Sequence, residues 1–306
     1  MTLAFLFAGQ GSQERGMGAE LARACADCRA TFAAADRAAG FPLARLMEDG
    51  PEEELRRTAV AQPALLALAV AHARHLVQLG LAPAALAGHS LGQYAALVLA
   101  GALGFEDAVR LVAARGRLMQ ETVPEGEGAM AAIVGLERAA VYDACAAARA
   151  TAAGCVDVAC HNAPGQSVIS GARAAVAAAA ARCEDEGGGV VPLAVSAPFH
   201  CGLLEPMVGP FARLVEETRI EAPALPVVDN VTARPLEGAD DVRRSLVAQL
   251  TAPVLFEESL RWLVESGSVG RFIQCGPGRS TLSFARKVAP GARLATFDEA
   301  SLEARS

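Results

Sequence analysis

The chain alternates short apolar runs with longer stretches in which apolar residues recur at helical spacing. Residues 3–8 form an apolar run that predicts a strand. Residues 19–39 and 64–79 predict helices, the second opening on Gln62-Pro63. A short apolar strand at 84–87 leads into a glycine-rich turn, then into an Ala- and Leu-rich helix at 93–103 and another at 106–120. Strands and helices alternating in this way predict an α/β fold with a mainly parallel sheet.

From Gly126 the rhythm changes. Strand 129–136, helix 138–150, strands 156–160 and 167–170 across the turn Asn162-Ala163-Pro164-Gly165, helix 172–186 and strand 190–195 follow in order. That is the β-α-β-β-α-β sequence of a ferredoxin-like unit. After Ser196 the larger pattern resumes: a helix at 203–217, a strand near 226–228, helices through 260, a strand at 271–274, a helix at 280–288 and a last strand near 294–297. The expected organisation is a large α/β domain from 1–125 and 196–306, with a small ferredoxin-like subdomain inserted at 126–195.

Composition narrows the function. With 306 residues, 53% of them hydrophobic, the chain can bury a sizeable core. A net charge of −7 and a single lysine, Lys287, exclude the basic field a nucleic-acid binder needs. An acidic partner must therefore dock on a local arginine patch. No apolar run reaches membrane length without Pro, Gln, His or Ser intruding, and the first residues lack the positive flank of a signal segment. A cytoplasmic protein with no membrane contact is expected. Eight cysteines show no paired framework. Cys25 and Cys28 form a C-x-x-C, but with Leu21 and Phe32 they fall on one helical stripe and read as core packing. His72 and His75 have no second ligand cluster in sequence and read as surface or groove residues. No metal or cofactor is expected.

Gly88-His89-Ser90-Leu91-Gly92 carries the clearest chemistry. A G-x-S-x-G between a strand and a helix is what a nucleophile elbow needs, with the serine exposed at a helix N-terminus. A serine nucleophile needs a base. His89 adjoins it but points elsewhere across a tight turn, whereas His200 follows a strand in a loop stiffened by Pro198. Asp229, Glu205 or a backbone carbonyl would each serve to orient that histidine. Arg115 is the second anomaly. At about 100° per residue it falls inside the apolar stripe of Ala108, Leu111, Val112, Leu118 and Met119. A buried arginine must meet an anion, either an internal carboxylate or a carboxylate substrate held by the guanidinium fork. Gly9-Gln10-Gly11 after the first strand fits neither phosphate-loop spacing and reads as a tight, ligand-facing turn.

Together these pieces resemble the malonyl-CoA:acyl carrier protein transacylases. The resemblance rests on Gly9-Gln10-Gly11-Ser12-Gln13, Gln62-Pro63-Ala64-Leu65-Leu66, the elbow, and Arg115-Gly116-Arg117-Leu118-Met119-Gln120. It continues in Gly128-Ala129-Met130-Ala131-Ala132, Asn162-Ala163-Pro164-Gly165-Gln166, Pro198-Phe199-His200 and Gly276-Pro277-Gly278. It implies an α/β-hydrolase-like core with an inserted ferredoxin-like subdomain. It implies Ser90 as nucleophile, His200 as base, and the Gln249 carbonyl as the group that orients His200. It also implies the backbone N–H groups of Gln10 and Leu91 as oxyanion hole, and Arg115, Phe199 and Asn162 as substrate-binding residues. The implied reaction moves a malonyl group from malonyl-CoA to the phosphopantetheine thiol of an acyl carrier protein, in fatty-acid or polyketide synthesis, through an ester on Ser90. Carrier proteins of this kind are acidic, and Arg279, Arg286 and Lys287 are the expected docking residues; a monomer is expected. The Phe199 ring would crowd a 2-methyl branch, a difference of about 1–3 kcal/mol. Two positions depart from the family: Gln93 stands where glutamate is usual, removing a charge near Arg115 or the helix start, and Ala8 where proline is usual. The alternatives are a hydrolase clearing acyl groups from carrier proteins, a lipase or esterase, and a non-catalytic docking subunit. Arg115 argues against the first, the missing HGGG-type motif against the second, and intact Ser90, His200 and Arg115 against the third.

Overall fold

The computed structural model describes residues 1–151 and 154–306. The first half runs β1 (Thr2–Phe7), α1 (Ala19–Ala24), α2 (Ala26–Ala39), α3 (Leu43–Asp49), α4 (Glu52–Arg56), α5 (Thr58–Gln78), β2 (Ala85–Gly88), α6 (Gly92–Leu99) and α7 (Phe105–Thr122). The middle runs β3 (Gly128–Val134), α8 (Arg138–Ala150), β4 (Val156–Ala163), β5 (Gln166–Ala172), α9 (Arg173–Asp185) and β6 (Gly189–Pro192). The remainder is α10 (Glu205–Glu217), β7 (Val227–Val228), α11 (Ala239–Ala248), β8 (Val254–Leu255), α12 (Phe256–Glu265), β9 (Val269–Cys275), α13 (Ser280–Val288), β10 (Arg293–Thr296) and α14 (Phe297–Arg305).

Two sheets organise these elements. The first, β10-β9-β1-β2-β7, is wholly parallel. Its central strand β1 is buried from Leu3 to Phe7, as a strand covered on both faces must be. The second sheet has the order β6-β3-β5-β4-β8. Its first four strands are antiparallel and come from the segment read as ferredoxin-like. Residues alternate across it. Ala131, Ile133, Val158 and Ile169 pack under α8 and α9, while Met130, Ala132, Cys160 and Val168 join the main core. The fifth strand, β8, comes from outside 126–195 and pairs parallel with β4, so the second sheet crosses the boundary expected from sequence.

Several elements differ from expectation. The single helix expected over 19–39 breaks at Cys25, which turns extended (φ −127°, ψ 116°) and becomes the N-cap of α2. Helix α5 starts at Thr58, six residues before the expected start, with Pro63 inside it. Helix α7 presses on that first turn, where a Cβ on Gly116 would lie 2.6 Å from the Thr58 carbonyl oxygen. In addition, Gln120 Oε1 accepts the Ala59 N–H at 3.0 Å, so tertiary contacts hold the turn ahead of the proline. α5 is long and apolar enough to span a membrane (mean hydropathy 1.3 over its most apolar window), but 78% of that window is buried, and it is the core helix of the fold. His72 on α5 is buried rather than superficial, stacked on Phe297 with centroids 3.7 Å apart.

Candidate active site

Strand β2 lies beside β1 with Gly88 level with Phe7, and the chain then reverses sharply into α6. The glycines permit this. A Cβ on Gly88 would lie 2.0 Å from the Gly92 carbonyl carbon, and one on Gly92 would lie 2.2 Å from Phe7 O. Ser90 at the apex is held at φ 51°, a left-handed conformation that a serine adopts only under constraint. The constraint is visible. Ser90 N–H donates to Asn230 Oδ1 at 2.7 Å, and its carbonyl accepts from Gln93 N–H at 3.0 Å and from Gln249 Nε2 at 3.2 Å.

His200 sits on the loop after β6, also at positive φ (57°). Pro198 anchors that loop against Gly128, where a Cβ would come within 2.3 Å of the proline ring. His200 Nε2 is 2.7 Å from Ser90 Oγ, and its Nδ1–H donates to the Gln249 carbonyl at 2.6 Å. That second bond fixes the tautomer, leaving a lone pair on Nε2 for the serine proton. Burial and the nearby Arg115 charge lower the His200 pKa to about 3, against the opposing pull of the Gln249 carbonyl. The imidazole therefore rests neutral. Of the carboxylates considered from sequence, Asp229 instead bonds Thr232 and Ser245, and Glu205 is exposed at the start of α10.

Arg115 is 1% exposed. Its Nη1 donates to Gln62 Oε1 at 3.0 Å, and its Nη2 to Gln249 Oε1 at 3.2 Å and Ser90 Oγ at 3.3 Å. Its Cζ lies 5.6 Å from the Tyr94 ring centroid. Among the described residues no carboxylate pairs with it; every partner is neutral. Burial accordingly pulls its pKa down. Arg115 Nε, Tyr94 Oη and Gln10 Oε1 are all buried without a hydrogen-bond partner among the described residues. A buried cation whose partners among the described residues are all neutral is an environment that favours an anion.

The backbone N–H groups of Gln10 and Leu91 have no backbone or side-chain acceptor among the described residues. The Gln10 turn is pressed against the elbow: a Cβ on Gly9 would lie 2.9 Å from the His89 carbonyl oxygen. His89 itself points to Asn162, with Nε2 2.7 Å from Asn162 Oδ1, so Asn162 tethers the elbow to β4. Phe199 is buried beside His200. Gln93 does not meet Arg115. It is buried behind Ser90, where Nε2 donates to Ser245 Oγ at 2.7 Å and Asp229 Oδ1 at 3.4 Å, and Oε1 accepts the Asn230 N–H at 2.8 Å.

Asn230 and Gln62 are the site residues that sequence reasoning missed. Asn230 follows the two-residue strand β7, which pairs with β2 and delivers it to the elbow. There it also donates to Gly88 O at 2.7 Å. The signal lay one residue from Asp229, the carboxylate weighed as an orienting group. Arg279, the N-cap of α13, pairs with Glu299 at 2.7 Å; on the helix Lys287 reaches Gln166 at 3.1 Å, while Arg286 is exposed.

A serine hydroxyl bonded to a neutral imidazole, beside a buried guanidinium that pairs with no carboxylate among the described residues, forms a site that a carboxylated acyl group would fit. Residues 4–275 match the model of the acyl transferase domain. The chain belongs to the acyl transferase family. Within it, the chain is 42% identical over 300 residues to the malonyl CoA-acyl carrier protein transacylase of Escherichia coli K12, covering 97% of this chain and 96% of that one. A crystal structure of an acyl carrier protein S-malonyltransferase from Vibrio cholerae O1 superposes with a TM-score of 0.94 at 40% identity, covering 100% of both chains. A malonyl-transacylase in complex with its type II PKS acyl-carrier protein also gives a TM-score of 0.94, at 42% identity over 99% of this chain and 98% of that one. The α/β-hydrolase-like acyl transferase fold expected from sequence is thus the fold of the chain.

Proposed function

We propose that the protein is a malonyl-CoA:acyl carrier protein S-malonyltransferase working through a malonyl ester on Ser90. The observation that carries this reading is Arg115, a buried guanidinium with no carboxylate partner among the described residues, within reach of the Ser90 hydroxyl. A malonyl group brings the reacting carbonyl and the missing carboxylate together, spaced by one carbon. An acetyl group leaves the guanidinium desolvated and unpaired, which selects against it.

Ser90 Oγ attacks the thioester carbonyl while its proton passes to His200 Nε2. The N–H groups of Leu91 and Gln10 receive the oxyanion. The C–S bond breaks and the CoA sulfur leaves with the proton from His200. The carrier-protein thiol then gives its proton to His200 and attacks the ester carbonyl, and Ser90 regains its hydrogen as the C–O bond breaks. The Gln249 carbonyl holds His200 in the required tautomer throughout. The Gln249 side chain joins this hydrogen-bond frame to Arg115. The substrate carboxylate also neutralises the Arg115 charge that holds His200 down, so the correct substrate makes its own base stronger. No cofactor takes part. Phe199 narrows the space beside the acyl α-carbon, and Asn162 sets the wall through His89.

The acidic carrier protein docks along α13 on Arg286 and Lys287, with Arg279 beside them. One chain carries every group named, so a monomer suffices. All eight cysteines are unpaired, which fits the reducing cytoplasm. Initial rates measured against both substrates test the ester route. Parallel double-reciprocal lines, with CoA released before the carrier protein is added, are expected. Intersecting lines with no CoA release in its absence overturn it.

A further inference from the structure

The C-x-x-C that reads as core packing in the sequence gains a third member in the fold. Cys25 breaks the chain between α1 and α2, and its Sγ accepts the Cys28 N–H at 3.2 Å. Both sulfurs thereby sit at the N-terminus of α2. His75 reaches the same place from the last turn of α5. One donor atom from each of Cys25, Cys28 and His75 lies within 4.8 Å of the other two. Cys28 is buried, whereas Cys25 and His75 are half-buried, so the cluster opens to solvent on one side. His75 Nδ1 is buried without a hydrogen-bond partner among the described residues, and Nε2 takes an exposed bond from Arg305 at 3.1 Å. A surface cleft of about 270 Å³ adjoins the cluster, lined by Asp27, Cys28, Thr31, Arg74, His75 and Gln78.

We propose that Cys25, Cys28 and His75 bind a thiophilic divalent cation such as Zn²⁺, with water from the adjoining cleft as fourth ligand. Two sulfurs and one imidazole nitrogen are the soft donors such an ion selects, and three protein ligands leave one position open. Sulfur ligands of a tetrahedral Zn²⁺ stand about 3.7 Å apart, so donors lying within 4.8 Å of one another need close by no more than about 1 Å, within reach of side-chain rotation. Binding deprotonates the two thiols, releases two protons to solvent and moves no electrons. The two thiolates balance the charge of the ion. Coordination through Nδ1 places the imidazole proton on Nε2, so Arg305 must swing off it. The site is remote from the chemistry. His75 lies thirteen residues along α5 from Gln62, the partner of Arg115, or about 20 Å of helix. The ion therefore staples the start of α2 to the end of α5 and takes no part in acyl transfer.

Titration of the reduced, chelator-treated protein with Co²⁺ tests the site. One equivalent should produce the visible bands of tetrahedral cobalt with thiolate charge transfer, and Zn²⁺ should displace them. Cys25→Ser should weaken binding at least about 100-fold and His75→Ala at least about tenfold, while Arg305→Ala should tighten it several-fold. Zn²⁺ should raise the Tm of the parent protein in a concentration-dependent way and leave that of Cys25→Ser unchanged. Malonyl transfer by both ligand variants should match the parent in metal-free buffer. Bands that survive both ligand substitutions, or no bands in excess Co²⁺, overturn the proposal.

Discussion

Arg115 donates to Gln62, Gln249 and Ser90 and meets no carboxylate among the described residues, so its charge is a standing demand for an anion. Arg115→Ala should lower kcat/KM for malonyl-CoA by about 100-fold or more, the worth of a charge-assisted bond of about 3 kcal/mol. It should leave acetyl-CoA equally good or better, as competition between the two thioesters will measure. The same substitution removes one cause of the low His200 pKa. With His200 as the proposed base, the acid limb of the kcat/KM profile reports its neutral form in the free enzyme. In the parent it should lie well below the ordinary imidazole range, towards pH 3, and in Arg115→Ala it should move to higher pH. Gln93 lies behind Ser90 and faces Asp229. Gln93→Glu would set two carboxylates together and disturb the Asn230 bond to Ser90. The expected result is a loss of stability of about 1–2 kcal/mol, greater at neutral than at acid pH, with a lower kcat. Urea melts at pH 5 and pH 8 will read the first effect. Ser90, His200 and Arg115 were legible because each breaks a local pattern: a serine between two glycines, a histidine after a stiffened loop, an arginine on an apolar stripe. Asn230 breaks none. It reaches Ser90 across 140 residues, and no periodicity encodes such a contact.

At the scale of elements, the elbow depends on absent side chains. Gly88→Ala puts a methyl 2.0 Å from backbone, with no flexible group to yield. The expected cost is about 3 kcal/mol or more, read as a lower denaturation midpoint with unchanged m. Gly128→Ala pushes instead on Pro198 and so on the loop carrying Phe199 and His200. Activity should fall more than stability. The alternation of strands and helices was readable because each periodic segment buries one face or one stripe. Helix 138–150 and helix 280–288 begin and end where the pattern does. The break at Cys25 was not readable, since apolar spacing continues across it. Nor was the turn of α5 before Pro63, which α7 holds in place through Gly116 and Gln120. β7 and β8 are two residues each, too short to show a period, yet one positions Asn230 and the other joins the second sheet.

For the whole molecule, the two sheets share one core, because the inner face of the second sheet packs into the same apolar cluster as β1 and β2. The proposed catalytic pair bridges them, with Ser90 following β2 and His200 on the loop leaving β6. His72 and His200 are both held near pKa 3 by burial, against about 6.5 in an unfolded chain. The unfolded state therefore binds protons first, and native stability should fall as pH drops from 6.5 towards 3. His72→Gln should flatten that slope in thermal melts. The central claim is an acyl ester on Ser90 selected by Arg115, and intact-mass measurement tests it most directly. The protein is incubated with malonyl-, methylmalonyl- or acetyl-CoA, then with holo acyl carrier protein. The account predicts one malonyl adduct mapped to Ser90, stable in buffer, discharged onto the carrier protein, and scarce with the other two thioesters. CoA release with rapid hydrolysis, no transfer to carrier protein and no preference for malonyl would contradict it.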